Sequence, residues 1–170
     1  MSEKVRLIQA VSDEHESHVR KLLLEYAQWL QEKMKQEYGI SVNADAILQS
    51  FVRGLDAFYP PCGRMYLSQV DDEIVGLGGL KPLGNTVGEI KRMFVKSEHR
   101  GRGIGKLILD KLIADAPSFG YTIIRLDSPK FSIEAHRLYQ SRGFQFIESY
   151  QGSEGARAQA DQVMYMELVL

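Results

Sequence analysis

The segment Arg100-Gly101-Arg102-Gly103-Ile104-Gly105-Lys106 constrains this 170-residue chain more than any other. It follows an apolar run that ends at Met93-Phe94-Val95, and it leads into Ile104, Leu107, Ile108, Leu112 and Ile113, which recur at helical spacing. A strand therefore passes into a helix through a glycine-rich turn. The first amides of such a helix lack intrahelical acceptors, its dipole favours negative charge there, and glycine lets a ligand approach the backbone. With Arg100, Arg102 and Lys106 adding positive charge, the turn predicts a site for phosphate oxygens.

Three phosphate-binding patterns compete for it. A dinucleotide fingerprint, Gly-x-Gly-x-x-Gly counted from Gly101 and Gly103, meets Lys106 where the third glycine belongs, and only Asp127, at the spacing of an acidic ribose ligand, speaks for it. A P-loop fails at both ends, at Arg100 and at Leu107. The third pattern, Arg-x-x-Gly-x-Gly, is met by Arg100, Gly103 and Gly105. With Met93-Phe94-Val95 before it, and Ala135-x-x-Leu138-Tyr139 and then Gly143-Phe144 after it, the chain from Arg64 onward resembles the GCN5-related N-acetyltransferases, the GNAT family. A flexible turn that merely capped a surface helix would not require the flanking words.

The resemblance implies a fold and a cofactor. The fold is α+β, a mixed and mostly antiparallel sheet with two helices after the first strand and splayed central strands that open a cofactor cleft. The cofactor is acetyl-coenzyme A, used as a cosubstrate. Its pyrophosphate would lie on the turn, Arg100, Gly101, Arg102, Gly103, Ile104, Gly105 and Lys106, chiefly on the amides from Arg102 to Lys106. Its pantetheine would lie like an added strand along Met93, Phe94 and Val95, beside a bulge, with main-chain groups of Met93 and Val95 in contact and the side chains serving as sheet core. Ser132 stands where relatives commonly have an asparagine that helps hold the cofactor; serine can cap the helix and donate one hydrogen bond.

Transfer to an amine needs the neutral base, and deprotonating a lysine-like ammonium at pH 7 costs about 4–5 kcal/mol. Glu89, four residues before Met93, matches the position of the glutamate base in the histone-acetylating branch of the family. The alternatives are a solvated carboxylate paired with Lys91 or an arginine, or a water relay. Tyr139 matches the family's acid for the departing thiolate; the alternative is core packing. The resemblance further places the acceptor, a small-molecule or peptide amine, against Tyr26, Trp29, Leu30, Met34 and residues 152–161. Two functions remain open, an N-acetyltransferase acting by direct attack in a ternary complex and a non-catalytic acyl-CoA-binding sensor or partner-binding module; the presence of both Glu89 and Tyr139 favours the enzyme.

Composition narrows the setting. With 21 Lys+Arg against 22 Asp+Glu the net charge is -1, which gives no global attraction to nucleic acid or to a membrane. The single cysteine, Cys62, forms no intramolecular disulfide and fits a reducing cytoplasm, and charges throughout the first sixteen residues exclude the apolar run of a signal peptide. No metal is expected: His15 and His18 read as a solvated helix face, and nothing in the sequence aims His99 or His136 at a substrate. Monomer and homodimer are both open.

The chain reads as one domain over residues 1–170, in the order β-α-α-β-β-β-α-β-α-β-β. Expected elements are a strand at Lys4 to Gln9, a long helix capped by Ser12 and ending near Gly39, and a second helix from about Asn43 to Phe58. A hairpin at Met65 to Val70 and Ile74 to Leu80 follows, then a strand at Val87 to Val95 and the helix after the turn. Tyr121 to Leu126, Ser132 to Arg142, Phe144 to Ser149 and Val163 to Leu170 complete the list as strand, helix, strand and strand.

Overall fold

Asp71 adopts a left-handed φ of 52°, the conformation a tight strand reversal requires, and so turns β2 (Arg64–Val70) back along β3 (Glu73–Pro82). The hairpin belongs to a seven-stranded sheet in the computed structural model, which describes residues 4–155 and 160–170. Its order among the described residues is β1-β2-β3-β4-β5-β7-β6, with β1 at Val5–Gln9, β4 at Val87–Val95, β5 at Ile123–Pro129, β6 at Gln145–Ile147 and β7 at Val163–Val169. Every neighbouring pair is antiparallel except β4 with β5.

Helices cover both faces. On one side α1 (Ser12–Tyr38) and α2 (Ala44–Val52) bury Val19, Leu22, Leu23, Ala27 and Phe51 against Met65, Leu67, Leu77 and Phe94. On the other, α3 (Ile104–Asp115) and α4 (Ile133–Gln140) pack Ile104, Ile108, Leu112 and Tyr139 against Val75, Leu80, Ile90, Ile124 and Leu126. Close approach to β3 demands glycine: a Cβ on Gly78 would lie 2.6 Å from Ile108 Cγ2, and one on Gly79 would lie 2.4 Å from Phe58 Cδ1.

Two irregularities make the site. The β3–β4 register pairs Leu77 with Phe94 but Gly79 with Lys91, so β4 carries an extra residue, and Arg92 sits at the resulting bulge with φ 60°. Meanwhile β4 and β5 pair only at Val87–Ile123, Gly88–Ile124 and Glu89–Arg125, whereas β5 continues to pair β7 as far as Pro129 with Val163. Beyond Glu89 the two central strands part, the splay expected from the sequence.

Several boundaries differ from expectation. Val11, not Ser12, occupies the N-cap of α1 and makes no side-chain cap; its N–H donates instead to His15 Nδ1 at 3.2 Å. Asn43 does cap α2, accepting from the Ala46 N–H at 3.0 Å, but Arg53 turns extended at ψ 122° and ends that helix early, and Gly54 at φ 74° opens a separate 3₁₀ turn at Leu55–Phe58. Tyr121 precedes β5 because its hydroxyl is anchored on the Cys62 carbonyl at 2.8 Å and its N–H on Ala116. The strand after α4 is short, Gln145–Ile147, and exposes Phe146.

Candidate functional site

The glycine turn has the conformation its composition asks for. Gly101 and Gly103 have φ of 75° and 77°, and Gly103 is the N-cap of α3. The first helical bond runs from the Leu107 N–H to the Gly103 carbonyl at 3.0 Å, so the amides of Ile104, Gly105 and Lys106 form the donor end of the helix. Charge is distributed less simply than the sequence implies. Arg100 is committed elsewhere, its Nε donating to the Val95 carbonyl at 2.9 Å and its guanidinium lying 4.7 Å over the Trp29 ring. Arg102 reaches His99 Nδ1 at 3.0 Å, and Lys106 lies 3.6 Å from Asp110.

Strand alternation fixes what β4 presents to the splay. The Lys96 N–H donates to Val75 on β3, so the main-chain groups of Val95 and Met93 point the opposite way, into the opening. Their side chains pack with the α3 core, and Phe94 packs with the α1 core. The bulge resets the alternation: before it Ile90 faces α3, so Glu89 and Lys91 share the α1 face with Arg92 and Phe94.

On that face lies a buried charged cluster. Glu89 is 0% exposed, which corrects the picture of a solvated strand-end carboxylate. Its Oε1 accepts from the Tyr150 hydroxyl at 2.9 Å, Lys81 Nζ is 3.3 Å from its Oε2, and Lys91 Nζ is 4.0 Å from its Oε1. Burial raises the Glu89 pKa above the usual carboxylate range despite both lysines. Asp127, on β5, accepts from Lys91 at 2.7 Å, from Ser153 Oγ and from the Gly155 N–H; burial works to raise its pKa, but Lys91 and these bonds hold it low. Arg92 binds Glu154 through Nη1 at 2.8 Å and Nη2 at 3.3 Å.

Tyr139 is buried, with its ring 5.9 Å from Phe144, and burial pushes its hydroxyl pKa up. Ser132 takes the N-cap position of α4 but its side chain makes no cap bond, contrary to expectation; its main chain is used instead, the carbonyl accepting from the His136 N–H at 3.0 Å and the N–H donating to the Pro129 carbonyl at 3.0 Å. Of the expected acceptor wall, Tyr26 stacks on Phe51 at 5.0 Å and on Phe94 at 5.1 Å, and Trp29 meets Phe131 across from α1 at 5.8 Å. Leu30 packs in the α1 core and Met34 is half-buried. Within residues 152–161, Ser153, Glu154 and Gly155 reach the cluster; residues 156–159 lie outside the described residues.

The sequence does not point to Lys81, Arg92 or Tyr150, and it offers Asp127 only to the discarded dinucleotide pattern. They come from separate strands and a loop, so no spacing rule joins them. Among the described residues Glu73, Glu98 and His99 converge within 4.8 Å at an exposed surface, and their neighbour Lys96 donates to Glu73 at 2.6 Å.

The family model described as Acetyltransferase (GNAT) family matches residues 22–144, and the chain belongs to that family. It is 34% identical over 57% of its length to an uncharacterized N-acetyltransferase, YsnE, of Bacillus subtilis, covering 66% of that protein. It is 30% identical over 68% of its length to an uncharacterized N-acetyltransferase of Schizosaccharomyces pombe, covering 72% of it. Human N-acetylaspartate synthetase is 30% identical over 61% of this chain, which spans only 35% of that longer protein. In fold the chain is similar to a GNAT-family acetyltransferase from Staphylococcus aureus, with TM-score 0.72, 24% identity, and coverage of 98% of this chain and 99% of that one. It is also similar to the PaiA N-acetyltransferase of Thermoplasma acidophilum in complex with coenzyme A, with TM-score 0.66, 16% identity, and coverage of 98% and 99%.

Proposed function

We propose that residues 1–170 form one N-acetyltransferase domain that moves an acetyl group from acetyl-coenzyme A to a primary amine by direct attack in a ternary complex. The observation that carries the reading is the splay of β4 from β5 beyond Glu89, with the donor end of α3 at one side of it and a buried carboxylate at its apex. The cosubstrate's pyrophosphate lies on the amides from Arg102 to Lys106. Its pantetheine runs along the main chain of Met93 and Val95.

In the transfer step, Glu89 takes a proton from the ammonium, directly or through water, and the freed lone pair attacks the thioester carbonyl. The C–N bond forms, the nitrogen sheds its second proton to solvent, the C–S bond breaks as the tetrahedral adduct collapses to the amide, and coenzyme A leaves as thiolate. Tyr139 faces this leaving group. Its hydroxyl, pushed up by burial, is a poorer proton donor than a thiol near 8.5, so it acts chiefly by hydrogen bonding to the thiolate while solvent returns the proton. Tyr150, Lys81 and Lys91 position Glu89. The setting is the reducing cytoplasm: Cys62 is exposed as a free thiol, and no described helix is long and apolar enough to cross a membrane. A relative named for N-acetylaspartate supports a small amine acceptor.

Calorimetry tests the cofactor site. A Cβ on Gly105 would meet Leu138 Cδ2 at 3.7 Å, an ordinary contact, so the fold itself accepts a Cβ there, whereas a pyrophosphate seated on the amides would leave a branched side chain no room. Gly105→Val should therefore weaken coenzyme A binding at least tenfold with an unchanged melting temperature. Equal affinity in wild type and variant would refute the placement. Tyr139→Phe removes one hydrogen bond to a charged group, worth about 1.5–3 kcal/mol, and should lower kcat roughly ten- to hundredfold with little change in KM for acetyl-coenzyme A. Full turnover in that variant would make Tyr139 a packing residue.

A further inference from the structure

Arg92 is the residue on which β4 bulges, and its side chain is 3% exposed, with the guanidinium 4.4 Å over the Phe51 ring. Its fork closes on Glu154, and its Nε has no hydrogen-bond partner among the described residues. Glu154 differs from its partners in origin and exposure. It comes from the segment between β6 and β7, outside the sheet, and is 38% exposed, while Lys91 is 6% and Lys81 is 18% exposed. Lys91 Nζ lies 3.7 Å from Glu154 Oε2 and Lys81 Nζ lies 3.8 Å from its Oε1. The sheet thus supplies three cations that converge on one carboxylate, in the forked geometry by which arginine recognises that group.

We propose that this socket receives the carboxylate of the acceptor, in place of Glu154, so that the substrates are amines bearing a carboxylate a few bonds away, amino acids foremost. The inference rests on the N-acetyltransferase reading and names its substrate class. Three features argue for it. First, the same two lysines touch both carboxylates: Lys81 is 3.3 Å from Glu89 Oε2 and Lys91 is 4.0 Å from Glu89 Oε1. A carboxylate in the place of Glu154 therefore brings an amine two or three bonds away beside Glu89. Second, with Glu154 displaced, Lys81, Lys91 and Arg92 face, among the described residues, the two carboxylates of Glu89 and Asp127, a surplus of one cation that an acid satisfies and a polyamine aggravates. Third, Phe51, whose ring contacts both the Arg92 guanidinium and the Tyr26 ring, adds an apolar wall to the same place.

The test is calorimetric binding to the coenzyme A-loaded protein, which requires no turnover. The probes are L-phenylalanine, L-methionine and β-alanine, each against its carboxamide, with spermidine as the cationic amine. At least one acid should bind tenfold or more tighter than its amide and than spermidine. Arg92→Gln should abolish that preference. Glu154→Gln removes the competing carboxylate from an exposed position and should tighten the acids severalfold while leaving the amides unchanged. Amides or spermidine binding as tightly as the acids would overturn the proposal, as would acids that bind no tighter to the Glu154→Gln variant than to wild type. Thiol release with the same probes reads the reaction separately. Selective acid binding without turnover would sink the transfer and leave the socket, whereas equal turnover of acids and amides would do the reverse.

Discussion

Glu89→Gln should lower kcat near neutral pH by about 10²–10⁴, the contribution of a positioned base, and the deficit should shrink as pH climbs toward the pKa of the amine. An amine already deprotonated needs no base. The wild-type profile carries the sign of the carboxyl's environment. Burial holds the Glu89 pKa above the usual carboxylate range, so the active, ionised form appears only above that raised value, and the acidic limb of kcat/KM should lie higher than an exposed glutamate would give. Tyr150→Phe withdraws a hydrogen bond that favours the ionised form, and should move that limb to still higher pH. Initial rates across pH for the three proteins check this. A Gln variant with the wild-type profile would place the base elsewhere.

The largest expected loss of stability follows from Lys91→Met. Lys91 is 6% exposed and stands between Asp127 at 2.7 Å and Glu89 at 4.0 Å. Burial works to lower its pKa, yet the surrounding carboxylates hold it raised and charged. Removing one partner of a buried pair leaves its counter-charge uncompensated and costs about 3–5 kcal/mol. Denaturant unfolding should show that loss at neutral pH. The depressed pKa of Asp127 means that the contribution of the pair is fully present above the ordinary aspartate pKa and is lost as pH falls through the lower folded value. The gap between wild type and variant should accordingly narrow on acidification, and Asp127→Asn in the Lys91→Met background should recover part of it. A loss that is the same at every pH would mean that Lys91 contributes packing alone.

Local order was the part legible in sequence. The expected strand at Val87 to Val95 has the observed bounds, and the helix after it begins at Ile104, because apolar alternation and a glycine turn are local signals. The splay was legible only through resemblance, since three flanking words together carry a fold that no single one specifies. The position of the bulge was not legible: Arg92 at φ 60° is held by the sheet around it, with no glycine to announce it. The cluster around Glu89 escaped for a related reason. Lys81, Asp127, Tyr150 and Glu154 lie far apart in sequence and meet only when β3, β4, β5 and the segment after β6 are in register. Ser132 shows the opposite error, a good capping residue at a cap position whose side chain makes no cap bond.

Thiol release from acetyl-coenzyme A against a panel of primary amines, with the product identified by mass, decides whether this domain transfers an acetyl group. Amine-dependent release of coenzyme A, an N-acetylated product, and initial-rate lines that intersect when both substrates are varied are the expected results, as transfer in a ternary complex requires. Coenzyme A that binds but is released no faster with any amine would contradict it, and would make the protein an acyl-CoA-binding sensor.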